Sequence, residues 1–365
     1  MSDDSRTARE EDREERLLDE WRKQRGELDP VPGLTAREEK KFKRMIWRTR
    51  FAVMRSVAAT LLVLYFVFLI YMMVANITFL KTGKNEAFIR YVHTLVETHE
   101  TGLFADKTGT PAVELTGLLT QVMTFKVYRP VGEWDVVVGE VTARKPIFGD
   151  YSYTLQLNEQ YLNERKSYSF ALPPDLYPGD PSQQLMTNPL NADWNRFARM
   201  EDGYVGEMAF STVTGMDPEQ LFDLLAPYDL RVVAMPVYSG ELQTEELSRM
   251  SHSSSGQIIY VPALMLRPYV EYMDRTRSWT RLIADKDGLE KSEHQFMKDI
   301  PWLIDQGDYN GRSLDKARMA YLNEQGLQVY GAIVTGPIRE LEKLKQEKQL
   351  HLFELGRIEP WNWRE

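Results

Sequence analysis

His93 and His99 are the first residues to weigh as a metal pair or as general bases. On a helix a spacing of six turns two side chains roughly 240° apart, so they do not share a face. Ser251-His252-Ser253 sets a hydroxyl beside a base. Catalytic triads, however, assemble from residues distant in sequence, and Ser251 to Gly256 reads as a flexible loop. Glu133 and Asp135 stand at i and i+2, one face of a strand, where paired carboxylates would supply acid–base chemistry. Exposed acids on a strand are the commoner outcome. Thr335-Gly336-Pro337 opens a helical stretch whose amides would suit an anion, although turn and capping needs already account for each residue. HExxH, P-loop, GxGxxG and GxSxG patterns are absent. The chain has no cysteine, which excludes thiol catalysis and thiolate metal sites. The residues therefore give no catalytic, cofactor or metal set, and the expectation is a protein that is not an enzyme.

The elements that carry these residues are organised by one apolar run. Val57 to Ala75 reads VAATLLVLYFVFLIYMMVA, nineteen residues without a charge. As a helix it is about 28 Å long, close to the thickness of a bilayer's hydrocarbon core, and it is apolar on every face. We expect a transmembrane helix over 56–80. A cleaved signal peptide fits less well: the run begins some fifty residues in, exceeds an h-region and lacks a small-x-small site.

Charge predicts the orientation. Lys41, Lys43, Arg44, Arg48, Arg50 and Arg55 precede the span, and only Lys81, Lys84 and Arg90 follow closely. The positive-inside bias puts the N-terminus in the cytoplasm and the C-terminal region outside. Residues 36–55 hold eight basic and two acidic side chains and suit an anionic inner leaflet. The net charge of −9 gives no support to nucleic-acid binding.

Residues 1–33 form a charged cytoplasmic tail. Its apolar content between Arg6 and Arg25 is Leu17, Leu18 and Trp21, a small patch on a charged helix. The patch is either part of a solvated, half-ordered tail or the face that meets a cytoplasmic partner, with Trp21 as anchor. Pro30, Pro32 and Gly33 stop that helix. Thr35 to Glu38 reads as a capping box and begins a basic juxtamembrane helix over 34–55 that continues into the span.

Beyond the membrane, a proximal domain is expected over 81–172. Phe88, Val92, Leu95 and Val96 have helical spacing, predicting a helix over Asn85 to Thr98 that Gly102 ends, and a second helix over Val113 to Phe125. Glu133–Val141 and Asp150–Leu157 read as a hairpin. Pro173, Pro174, Pro178, Pro181 and Pro189 mark a linker over 173–203.

The C-terminal region, 204–365, contains a repeat. Residues 204–238 and 327–358 each run from a β-rich segment through Val-Thr-Gly and a proline to a short amphipathic helix and a second β-rich segment. Leu221, Leu224 and Leu225 face the core from the first helix, and Ile338, Leu341 and Leu344 from the second. Two such halves predict a ferredoxin-like split βαβ sheet, with 239–326 inserted and Leu230–Tyr238 at an edge, where Pro236 is tolerated. Within the insertion, helices are expected over Ser278–Asp299 and Leu314–Glu324. Trp361 and Trp363 alternate and in an extended end would lie on one side, either packed into the domain or at a partner interface. The fold class is α+β with a short helical tail and one transmembrane helix.

The stretch Val329 to Pro337, carrying Val334, Thr335, Gly336 and Pro337, with the closing Pro360-Trp361-Asn362-Trp363, resembles the membrane-anchored anti-sigma factors that pair sigma-factor-regulator N-terminal and C-terminal domains. Val205 to Tyr238 and the basic helix Leu34 to Arg50 are similar as well. The resemblance implies a non-enzymatic regulator that restrains an extracytoplasmic-function sigma factor in response to envelope state. This chain departs from the pattern in its short tail. A clamp on a sigma factor needs about 1,200 Å² or more, so a second cytoplasmic or membrane subunit would supply the rest. The alternative is a structural or adaptor protein of the cell envelope with no cytoplasmic partner.

Overall fold

The structure, a computed structural model, describes residues 36–105, 111–158, 167–176, 194–200, 202–243, 261–273, 276–279 and 282–363. The chain divides into two compact units, Met1–Met73 and Val74–Glu365. The tail patch Leu17, Leu18 and Trp21, the Thr35 cap and the loop Ser251 to Gly256 lie outside the described residues.

Ala36 to Lys81 contains neither glycine nor proline, and one helix, α1 (Ala36–Lys81), spans it. Its threonine hydroxyls are satisfied internally. Thr60 Oγ1 donates to the Ser56 carbonyl at 3.0 Å and Thr78 Oγ1 to the Val74 carbonyl at 2.8 Å, so neither needs water. No residue of its most apolar stretch is buried, and its length and composition make it a candidate membrane span. Gly83, left-handed at φ 68°, breaks the helix. The helix α2 (Lys84–His99) follows, as the apolar spacing predicts, and buries Phe88, Tyr91, Val92, Leu95 and Val96.

The first sheet is antiparallel: β1 (Phe104–Ala105), β2 (Val113–Leu115), β3 (Gln121–Val131), β4 (Trp134–Lys145) and β5 (Ser152–Leu157). The order is β1-β3-β4-β5, with β2 also on β3. The helix expected over Val113 to Phe125 is absent. A turn at Thr116–Thr120 splits that stretch, and Met123, Phe125 and Val127 are buried while Thr124 and Lys126 are exposed. That is a period of two, and short apolar runs leave period two and period 3.6 hard to separate. The expected hairpin is present as β4 and β5. A register shift after Val127 precedes a segment of β3 in which Arg129, Pro130 and Val131 are all buried.

After the short helix α3 (Trp194–Arg199), the second sheet is assembled from β6 (Tyr204–Met216), β7 (Arg231–Tyr238) and later strands, with α4 (Pro218–Leu225) between the first two. Asp217 caps α4 in a capping box with Gln220, and Pro218 occupies its first turn. The segment between the repeat halves supplies β8 (Leu264–Leu266), the hairpin β9 (Val270–Met273) and β10 (Thr276–Trp279), then α5 (Lys286–Gln306) and α6 (Arg312–Gln325). Helix α5 begins later and ends later than expected, because Asp285 caps it by accepting from Gly288 N and Pro301 is accommodated inside it. The second half of the repeat is β11 (Gln328–Pro337), α7 (Ile338–Lys343) and β12 (Leu350–Pro360).

These strands run in the antiparallel order β12-β6-β11-β7-β8. The expectation that Leu230–Tyr238 is an edge is corrected: β8 pairs with it, Pro236 opposite Met265. The proline sits where the β7–β11 register shifts, a position inside a sheet that does not call on its missing N–H. Strands β6 and β11 are buried along most of their length because both faces are covered. Met208, Phe210, Ala332 and Val334 pack with Leu221, Ile338, Leu341 and Leu344 of the helices. Ala209, Tyr330 and Ile333 pack with Phe170, Leu172 and Phe104 on the other face.

Candidate functional site

Two clusters tie α2 and the first sheet to the C-terminal region. The first is built on α2. Arg90, Thr94 and Glu97 stand at i, i+4 and i+7, one face of the helix, and each meets the segment between the repeat halves. The Arg90 guanidinium lies 4.3 Å from the Trp302 ring and 4.7 Å from the Tyr272 ring. Thr94 Oγ1 is 3.1 Å from Tyr272 Oη. Glu97 takes Arg267 Nη1 at 3.3 Å and accepts from Ala105 N at 2.9 Å. Arg267 also donates to Asp299 Oδ2 at 2.7 Å.

All three charged groups of this triad are buried, so each depends on the others. Burial alone would lower the Arg267 pKa; Glu97, Tyr272 and Asp299 outweigh it and hold the guanidinium above its usual range. Burial raises the Asp299 carboxyl, with Arg267 and Arg90 offsetting part of that rise.

At the C-terminal end of α2, His99 Nε2 donates to Asp315 Oδ2 at 2.8 Å. The same oxygen accepts from Tyr309 Oη at 2.5 Å, and Oδ1 accepts from Arg318 at 3.1 Å. Burial pushes the Asp315 carboxyl up, but His99, Arg318 and Tyr309 together bring it down to about 2. A carboxyl held below its unfolded value near 3.9 stabilises the fold above that pH and loses the contribution as pH falls through about 2. Asp315→Asn is therefore expected to cost about 2 kcal/mol near pH 5; the gap from the parent should narrow to about 1 kcal/mol by about pH 2.5 and close only below about pH 2. Comparing the two chains by urea unfolding isolates this group from Asp299 and Glu207, whose raised carboxyls act in the opposite direction.

The second cluster contains the motif residues singled out in the sequence. Thr335 is fully buried; its Oγ1 accepts from Gly132 N at 2.7 Å and donates to the Gly206 carbonyl at 2.8 Å. The hydroxyl thus joins the β3–β4 turn to the second sheet. A Cβ on Gly336 would stand 2.7 Å from the Asp229 carbonyl, so the glycine allows the Asp229-Leu230 turn to approach. Val334 and Pro337 are buried in β11. Asn362 accepts from Glu133 N at 3.0 Å and donates to the Val131 carbonyl at 3.1 Å. Trp363 Nε1 donates to Asp229 Oδ2 at 2.8 Å, and the Arg231 guanidinium lies 4.4 Å from its ring. Trp361 does not share that environment: it is 49 % exposed against 5 % for Trp363, because the chain has left the strand after Pro360.

The other candidates are accounted for separately. His93 is buried with its ring edge-on to Phe125. Glu133 belongs to the β3–β4 turn, not to the strand, and pairs with Arg231. Groups able to hold a metal ion are absent among the described residues. The sequence reading missed Arg267, Asp299, Asp315 and Tyr272. The available signal was the Arg90, Thr94, Glu97 spacing, a polar stripe beside the apolar face of Phe88, Val92, Leu95 and Val96.

Residues 197–357 match the family described as sigma factor regulator C-terminal, a range that spans both repeat halves and the segment between them. The chain is also similar to the Bacillus subtilis (strain 168) protein named "Probable anti-sigma-M factor YhdL", 37% identical over 46 residues. That similarity covers 13% of this chain and 13% of the relative's length. Over those ranges the chain is similar to anti-sigma-factor regulators, and neither match indicates a catalytic family. No solved structure matches it.

Proposed function

We propose that the chain is a single-pass membrane regulator that restrains an extracytoplasmic-function sigma factor from a cytoplasmic N-terminus while its C-terminal region monitors the envelope. The observation that carries this reading is a sigma-factor-regulator domain following a helix fit to cross a membrane. The excess of basic residues at 36–55 supports the orientation. The relative named for anti-sigma-M activity supports a sigma factor as the partner class. Leu17, Leu18 and Trp21 are the contact patch, and a second membrane subunit shares the interface. The C-terminal region is a ferredoxin-like split βαβ domain, a reading supported by the antiparallel order β12-β6-β11-β7, which is strands four, one, three and two of the repeat. The membrane-proximal domain (81–172) and the linker (173–203) precede it.

The test is transcription from the sigma-dependent promoters. Replacing Leu17, Leu18 and Trp21 together by alanine is expected to weaken the complex about tenfold or more and to raise that transcription at unchanged protein level. Unaltered transcription in cells carrying the triple variant, and in cells carrying a chain without residues 1–33, would remove the tail from the mechanism.

A further inference from the structure

We propose that the turn end of the first sheet rests on the lipid surface from which the chain emerges, so that the β2–β3 and β4–β5 turns form a membrane-contact surface. The inference rests on the reading of α1 as a span. Gln121 pairs with Lys145 across β3 and β4, and with Leu115 across β2 and β3. The turn 116–120 and the turn 146–151 therefore lie side by side at one end of the sheet. Both tips are apolar: Leu118 is 84 % exposed and Phe148 is 89 % exposed, with Ile147 beside it. Surface turns are normally made of Gly, Pro, Asn, Asp and Ser, and large apolar side chains at that exposure are what an interface with lipid uses. The Leu118–Leu119 tip is also held at a backbone cost, since Leu119 is left-handed at φ 56°.

Position selects lipid as the occupant. At this same sheet end, Gln121 Nε2 donates to Asn85 Oδ1 at 2.9 Å and lies 3.3 Å from the Lys84 carbonyl. Those residues come directly after Lys81 and Gly83, where the apolar helix stops. The exposed tips are thus tied to the point at which the chain leaves the hydrocarbon. Lysines complete the surface. Lys84 Nζ sits 5.0 Å from the Phe79 ring, and Lys145 Nζ lies 4.2 Å from the Tyr151 ring and donates to the Gly149 carbonyl at 2.6 Å. Ammonium groups on apolar stems suit the layer of phosphate headgroups above the acyl chains. The opposite end of the ribbon, at Gly132, is locked to Thr335, so a ribbon of about 35 Å would run from the lipid surface to the motif corner.

The absence of native cysteine allows the test on the full chain in phosphatidylcholine–phosphatidylglycerol vesicles. Single variants Leu118→Cys, Phe148→Cys, Val67→Cys and Trp134→Cys carry a polarity-sensitive fluorophore, read with aqueous iodide and with nitroxides attached at the lipid headgroup or deep in the chain. The expected result is blue-shifted emission at positions 118 and 148, quenched by headgroup nitroxide and protected from iodide. Position 67 should be quenched by the deep nitroxide, and position 134 by iodide. Iodide quenching at 118 and 148, with 67 in lipid, overturns the contact surface and leaves the span intact. Protection of 118 and 148 from both quenchers means that protein covers the tips, and also overturns it. Iodide quenching at 67 removes the span itself, and the inference with it.

Discussion

Arg267→Met is expected to destabilise the Val74–Glu365 unit by about 3–5 kcal/mol, the largest effect anticipated for a single substitution in this protein. The guanidinium is 4 % exposed and serves two carboxylates, Glu97 and Asp299, that are themselves buried. Methionine fills the volume but leaves both carboxylates without their cation. Arg90, the remaining neighbour of Asp299, is half-exposed and 3.9 Å away, too weak a partner to compensate. Lysine at 267 should recover only part of the loss, since a single ammonium does not reproduce a fork with two carboxylates on it. Combining Arg267→Met with Glu97→Gln and Asp299→Asn should restore most of the stability, because the penalty lies in uncompensated buried charge. Urea unfolding of the three chains decides the matter. A loss below about 1 kcal/mol for Arg267→Met would mean that water reaches the triad and that α2 is not clamped through it.

Thr335→Val is the second large effect, at about 2–4 kcal/mol. The two side chains are nearly the same shape, so packing changes little. What disappears is the one oxygen that accepts from Gly132 N and donates to Gly206 O. A buried backbone N–H left without an acceptor carries its full desolvation cost. Thr335→Ser keeps the oxygen and should lose about 1 kcal/mol or less, the share of a single methyl group. Hydrogen exchange gives a local readout. The amides of Gly132 and Glu133 should exchange faster in the valine variant, while those of α6 remain protected. Unchanged exchange at Gly132 would show that the turn is held by Asn362 and not by the threonine.

Both joints bear on how much the sequence disclosed. The apolar run from Val57 to Ala75 needs no tertiary information to read, because length and the lack of charge suffice. The two repeat halves were legible for a similar reason: Val-Thr-Gly followed by a proline sets a strand end and a helix start locally. The second sheet's outer strand was not legible, since β8 is three residues long and is contributed by a distant segment. Val113 to Phe125 was misread as helix because its apolar spacing fits either period; only the turn at Thr116–Thr120 decides between them. Thr335 was recognisable as part of a motif, yet its role depends on Gly132, two hundred residues earlier in the chain. Arg267 and Asp315 carry no local pattern at all. Their partners Glu97 and His99 lie on another helix, and a charged residue in isolation reads as solvated surface.

On the proposed reading, these joints give the Val74–Glu365 unit two places at which a change in the envelope would be felt. One grips α2, the helix that follows the candidate span; the other locks the first sheet to the C-terminal sheet. The account therefore predicts that Arg267→Met and Thr335→Val alter sigma-dependent transcription without touching residues 1–33.

The most direct measurement is co-purification of a sigma factor with the full-length chain solubilised from membranes. The account predicts that an extracytoplasmic-function sigma factor is retained by the parent chain and lost when residues 1–33 are removed. Recovery of the parent chain from cross-linked membranes without any sigma factor would contradict it.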